Sequence, residues 1–114
     1  MERQGFTEKD WKLFRSKAAD WQEAFMDGLN GEYMELLSTD KSPSDKFWAL
    51  EERIREDRKK AGVCLDMRRS RLIHNLICLM DEGAIDWKDL EGFSEELRET
   101  VRAFTDREFL KSRG

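Results

Sequence analysis

His74, Cys78 and Asp81 fall at i, i+4 and i+7 and would share one stripe of a helix, with Cys64 farther back. Zinc takes about four ligands in tetrahedral array, and the paired Cys-x-x-Cys clusters that supply them are missing. The same His74 and Cys78 would make a base and a nucleophile, but one regular helix brings them no oxyanion donors. The plainer reading makes Cys78 a small buried apolar group and His74 a hydrogen-bonded boundary residue. No glycine cluster is present to cradle phosphates, and no Glu-x-x-His pair for a di-iron bundle. The acidic run after Met80 lacks the spacing of a calcium loop. With 25 Asp and Glu residues in the chain, close carboxylate pairs arise by chance and assign no acid or base. The expectation is a non-enzymatic protein with no catalytic residue, no cofactor and no metal.

Charge distribution is the second source of chemistry. Residues 20–40 hold six acids and no Lys or Arg, and residues 72–99 hold eight acids against Lys88 and Arg98. Between them, residues 53–71 carry eight basic residues (Arg53, Arg55, Arg58, Lys59, Lys60, Arg68, Arg69, Arg71) against three acids. A basic pole is therefore expected around Gly62, with acidic faces elsewhere.

Helical periodicity must position these groups. Thr7 and Asp10 form an Asp version of the capping box, with Phe6 and Trp11 as a hydrophobic staple. Trp11, Phe14, Ala18, Trp21, Phe25, Leu29, Tyr33, Leu36 and Leu37 then recur in steps of three or four, predicting one helix over about 8–38. Gly28 and Gly31 lie inside it and make a bend or break the alternative. Its aromatic face would suit a membrane surface, yet Asp20, Glu23, Asp27, Glu32 and Glu35 on the other faces would be repelled by anionic lipid, so core is the reading.

Ser42, Pro43 and Asp45 start a second helix, about 43–61, with Phe47, Leu50, Ile54 and Ala61 as its buried stripe, Trp48 beside it and Gly62 as a left-handed C-terminal residue. A third helix is expected over about 65–82, ending at Gly83, with the charge-free stretch Leu72–Met80 as the element against which the others pack. Asp86 caps a short helical turn over 87–91. Ser94 caps a last helix over 95–104 or beyond, where the phase slips at Phe109 and Leu110.

The fold expected is an all-α bundle of about four helices forming a single domain over 1–114. One proline and seven glycines supply too few turns for a β-sandwich, and 39% hydrophobic content is enough for one core. Two cysteines are too few for a secreted disulfide scaffold, and Met1-Glu2-Arg3-Gln4 leads into no signal-type apolar run. The longest uncharged stretch is nine residues, Leu72–Met80, where a membrane span needs about 20. A cytoplasmic protein without membrane insertion is expected.

The run Ser44-Asp45-Lys46-Phe47-Trp48-Ala49-Leu50-Glu51, followed by Gly62-Val63 and Phe93-Ser94-Glu95-Glu96-Leu97, resembles a group of small helical proteins from Firmicutes bacteria. With Trp11, Trp21, Tyr33 and Leu36-Leu37 the likeness covers most of the chain. It implies a helical fold and brings no activity.

The charges admit several uses. They would neutralise one another inside the bundle, Glu51, Glu52, Glu56 and Asp57 pairing along their helix. They would steer a protein partner, with Arg58, Lys59, Lys60, Arg68, Arg69 and Arg71 as the basic surface and Trp48 as an exposed anchor. The surplus of large apolar residues would allow a dimer. The segment also resembles a helix-turn-helix or winged helix, which would present Arg68, Arg69 and Arg71 to a DNA groove. No strand-forming wing follows Ile85, and a net charge of -4 with pI near 5.2 opposes phosphate binding. Acidic helix faces would also suit an inhibitor of a nucleic-acid enzyme of phage or mobile-element type. Protein binding is the expectation carried forward.

Overall fold

A computed structural model of the chain describes the backbone of residues 5–113 and the side chains of residues 5–105. Met1–Gln4 lie outside the described residues, as do the side chains of Phe109 and Leu110, on which the phase slip rests. The structure is all-α: α1 Glu8–Leu37, α2 Pro43–Asp57, α3 Leu72–Asp81 and α4 Glu95–Arg113, with short 3₁₀ turns at Arg69–Arg71 and Trp87–Leu90.

The local signals act as their chemistry requires. Thr7 Oγ1 accepts from the Asp10 N–H at 3.1 Å, and Asp10 Oδ2 accepts from the Thr7 N–H at 2.9 Å, closing the capping box of α1. The helix runs unbroken through Gly28 and Gly31, where an added Cβ would meet nothing within 4 Å. Both glycines are therefore free of packing demands, and continuous hydrogen bonding decides the conformation. Ser42 caps α2 through the Asp45 N–H at 3.2 Å, with Pro43 at its first position. Gly83, at φ 78°, ends α3; the Ala84 and Gly83 N–H groups reach back to the Leu79 and Met80 carbonyls, which closes a Schellman turn.

The core joins the first half of α1 to α3, the Trp87–Leu90 turn and α4. Phe14, Ala18, Leu72, Leu76, Leu79, Ile85, Leu90, Phe93, Leu97 and Val101 are buried together. Rings extend it at centroid spacings of 6.1 Å for Trp11–Phe14, 6.2 Å for Phe14–Trp21 and 6.3 Å for Trp21–Phe93. A single carboxylate ties its two ends. Asp10 is 2% exposed and accepts from the Ser94 N–H at 2.8 Å and the Ser94 hydroxyl at 2.6 Å, while Ser94 Oγ accepts from the Leu97 N–H. Asp10 thus serves the N-termini of both α1 and α4. Burial opposes its charge, but the hydrogen bonds from Ser94 and Thr7 outweigh that and hold its pKa below the ordinary carboxylate range.

Three expectations are corrected here. The second helix ends at Asp57, not near 61, because the Ala61 and Gly62 N–H groups are captured by the Glu82 carboxylate at 2.8 and 3.0 Å. Gly62 is no left-handed cap, since among described glycines only Gly5 and Gly83 have positive φ. It is required because the Phe25 ring lies where its Cβ would be, 2.2 Å from ring Cδ2. The third helix begins at Leu72, not 65. Asp66 takes the Arg68 N–H at 3.2 Å and gives its own carbonyl to Asn75 Nδ2 at 2.8 Å, a side-chain-supported turn in place of helical bonds.

A fourth correction concerns the second helix's apolar stripe. Of α2's fifteen residues only Asp57 is buried; Phe47 is 62% exposed, Trp48 63% and Ile54 43%. The second half of α1 and α2 form a hairpin that projects from the core. The chain as a whole has a radius of gyration of 17.0 Å, against about 13 Å for a compact chain of this length.

Candidate docking face

The hairpin is held by a polar clasp. Asp57, 3% exposed, accepts from the Tyr33 hydroxyl at 2.6 Å, pairs with Lys60 Nζ at 3.1 Å and has Arg53 at 3.6 Å. Arg53 also bonds Glu32 at 3.1 Å and lies over the Tyr33 ring at 5.6 Å. Burial works against the Asp57 charge, yet the Tyr33 and Lys60 bonds win and its pKa falls below the usual value. Burial, then the Asp57 bond, pushes Tyr33 up to about 12. Near neutral pH Asp57 is therefore ionised and Tyr33 protonated, the forms that the bond between them requires.

Above this clasp lies an uncovered apolar face. On α1 the row facing α2 is Leu29, Tyr33 and Leu36; on α2 it is Leu50, Arg53 and Asp57. Less than half a turn onward from each row come Met34 and Leu37 on α1, and Phe47 and Ile54 on α2. Two antiparallel right-handed helices wind toward the same side of their common plane, so all four lie on one face of the hairpin. They are 65%, 43%, 62% and 43% exposed. Phe47, Leu50 and Ile54 floor a shallow depression there, bordered by Glu51, Arg55 and Arg58. Trp48 stands edge-on to Phe47, centroids 5.0 Å apart at 88°.

The basic surface expected from sequence is divided. Arg58 borders the apolar depression and Lys59 is exposed beside it, while Lys60 is tied to Asp57. Arg68 grips Asp66 in a two-pronged pair at 2.5 to 3.0 Å, and Arg71 stands 3.8 Å from the same carboxylate. The Arg68 bonds hold the Asp66 pKa down to about 2. Arg69 bonds Glu8 and covers the Phe6 ring at 5.1 Å. The helix-turn-helix geometry is corrected: residues 58–71 separate α2 from α3, and Arg68, Arg69 and Arg71 precede α3 instead of lining it. The Arg58 end of the basic pole adjoins the apolar depression on α2, while exposed apolar surface at the Arg68 end comes from Met67.

The one histidine makes no reactive pair. His74 Nε2 lies 3.5 Å from Cys78 Sγ, but burial, with Glu82 and Asp81 adding to it, pushes the Cys78 thiol up and away from thiolate. Among the described residues no group of three His, Cys, Asp or Glu side chains is gathered for a metal ion. The carboxylates with displaced pKa values, Asp10, Asp57 and Asp66, are all held ionised, in the sense opposite to a general acid. Among the described residues no helix is long and apolar enough to cross a membrane.

Sequence periodicity found α2's apolar row but not that it is bare. The Asp10–Ser94 tie spans 84 positions and had no local signal. No protein-family model, curated protein or solved structure matches this chain.

Proposed function

We propose that the chain is a non-enzymatic protein-binding module, acting in a bacterial cytoplasm, and that its docking surface is the exposed face of the α1–α2 hairpin. The observation that carries this is the exposure of Met34, Leu37, Phe47 and Ile54 on one side of a rigidly clasped hairpin. Scattered exposed apolar residues are ordinary; a contiguous group with a charged border is the usual mark of an interface. Phe47, with Trp48 packed edge-on against it, supplies an aromatic anchor, and Arg55 and Arg58 supply a cationic border that favours acidic flanks on the partner. The net charge of -4 keeps the rest of the surface acidic and supports a protein partner over nucleic acid.

Affinity capture from native lysate tests the reading. The intact chain is expected to retain a stoichiometric protein partner, Ile54→Asp to lose it, and Arg68→Glu with Arg69→Glu to keep it. Equal capture by Ile54→Asp would overturn the assignment of the face. The purified chain is expected to leave duplex DNA unshifted at low salt.

A further inference from the structure

We propose that the occupant of this face is a second copy of the chain, the two hairpins packing face to face into a four-helix bundle; the step rests on the protein-binding reading. The charges at the two edges of the face select this occupant. On α1, Glu23 and Asp27 are exposed on the same side of the helix, within about a quarter-turn of the directions of Met34 and Leu37. On α2 the corresponding edge carries Arg55 and Arg58. One face therefore has an acidic side and a basic side.

Two hairpins can stack on this face about a two-fold axis in two simple ways. With the axis across the helices, α1 lies on α1 and acidic edge meets acidic edge. With the axis parallel to the helices, α1 of one copy lies antiparallel over α2 of the other, and both edges meet their opposites. The second arrangement is the complementary one, and it satisfies both edges at once because the interface is isologous.

Register agrees with charge. The Glu32–Arg53 and Gln22–Ala61 contacts fix the antiparallel alignment within each hairpin. That alignment puts Asp27 level with Asp57 and Arg58, Met34 level with Leu50, and Leu37 level with Phe47. A rotation about the parallel axis keeps each residue at its own level. Asp27 of one copy then comes to the Arg55–Arg58 edge of the other, and Met34 and Leu37 cover Leu50 and Phe47. Glu51, which pairs with Arg55 at 2.6 Å, stays at the border where it can keep that bond. Four helices closed in this way bury Met34, Leu37, Phe47 and Ile54, as antiparallel helical bundles do.

Sedimentation equilibrium on the purified full chain tests this. The expected particle has twice the 13.6 kDa chain mass at micromolar concentrations. Ile54→Asp is expected to weaken association about a hundredfold with unchanged helical circular dichroism, since Ile54 is 43% exposed in the single chain. Arg55→Glu with Arg58→Glu is expected to weaken it about tenfold, and adding Asp27→Arg to restore most of that loss. A dimer indifferent to Ile54→Asp, or a charge swap that fails to restore, would overturn the proposal. So would a wild-type monomer: if that monomer captures another protein through Ile54, the second copy is the wrong occupant and the docking reading stands; if it captures nothing, both fall.

Discussion

The two ends of α1 lie in opposite environments. From Trp11 to Trp21 its apolar row is covered by α3, α4 and the intervening turn, and its cap is fastened through Asp10 to the start of α4. From Met26 to Leu37 the same helix packs on α2, its inner row is closed by the Tyr33–Asp57 clasp, and Met34 and Leu37 next to that row are exposed. One helix thus carries a finished core and an unfinished one. The bundle end spends its apolar residues on folding, whereas the hairpin end is fixed by polar contacts and leaves its apolar residues for an occupant.

This contrast makes quantitative demands on stability. Leu76→Ala, at a fully buried core position, is expected to cost about 2 to 5 kcal/mol in denaturant unfolding. Ile54→Ala, measured at concentrations where the chain is dissociated, should stay within about 0.5 kcal/mol of wild type. Comparable losses at the two positions would mean that α2 is covered within the single chain, and the contrast would fail.

A smaller effect is expected from Asp10→Ala. It strands the Ser94 N–H and removes one partner from each of two caps, at a cost of about 1 to 3 kcal/mol. Unfolding followed by circular dichroism measures it. In the wild type the depressed Asp10 pKa contributes stability that is present above the ordinary carboxylate value and is lost as pH falls through the folded value. Asp57 acts in the same sense.

The hairpin clasp has an alkaline signature. Tyr33 is the only tyrosine, so phenolate absorbance reports it alone. Its pKa is raised, which means that its contribution is complete below about 10 and declines as pH rises toward about 12. The expected midpoint in the folded chain is about 12; a midpoint near the ordinary value of about 10 would show the clasp open.

Much of this fold was legible in the sequence because the deciding interactions are local. Thr7–Asp10, Ser42–Pro43, Asp86 and Gly83 act within three or four residues, and the phase of α1 survives two glycines. The misreadings have a common cause in contacts that sequence spacing does not reveal. Glu82 takes the N–H groups of Ala61 and Gly62 from 21 and 20 positions away, so the second helix stops early, and the Asp66 turn with its bond from Asn75 makes the third start late. Phe47, Leu50 and Ile54 keep perfect helical spacing, but periodicity records only that a face is apolar. It does not record whether the cover comes from the same chain. Of the candidate binding residues, Arg68 and Arg69 were legible as cations, while their capture by Asp66 and Glu8 depended on a loop and on a contact across 61 positions.

Amide hydrogen exchange at two protein concentrations tests the central claim most directly, because it compares the two regions within one molecule. Raising the purified chain from low to high micromolar is expected to slow exchange across α2 and residues 26–37 of α1, with α3 and the start of α4 unchanged. Protection that rises instead in residues 64–71, or uniformly along the chain, would contradict the account.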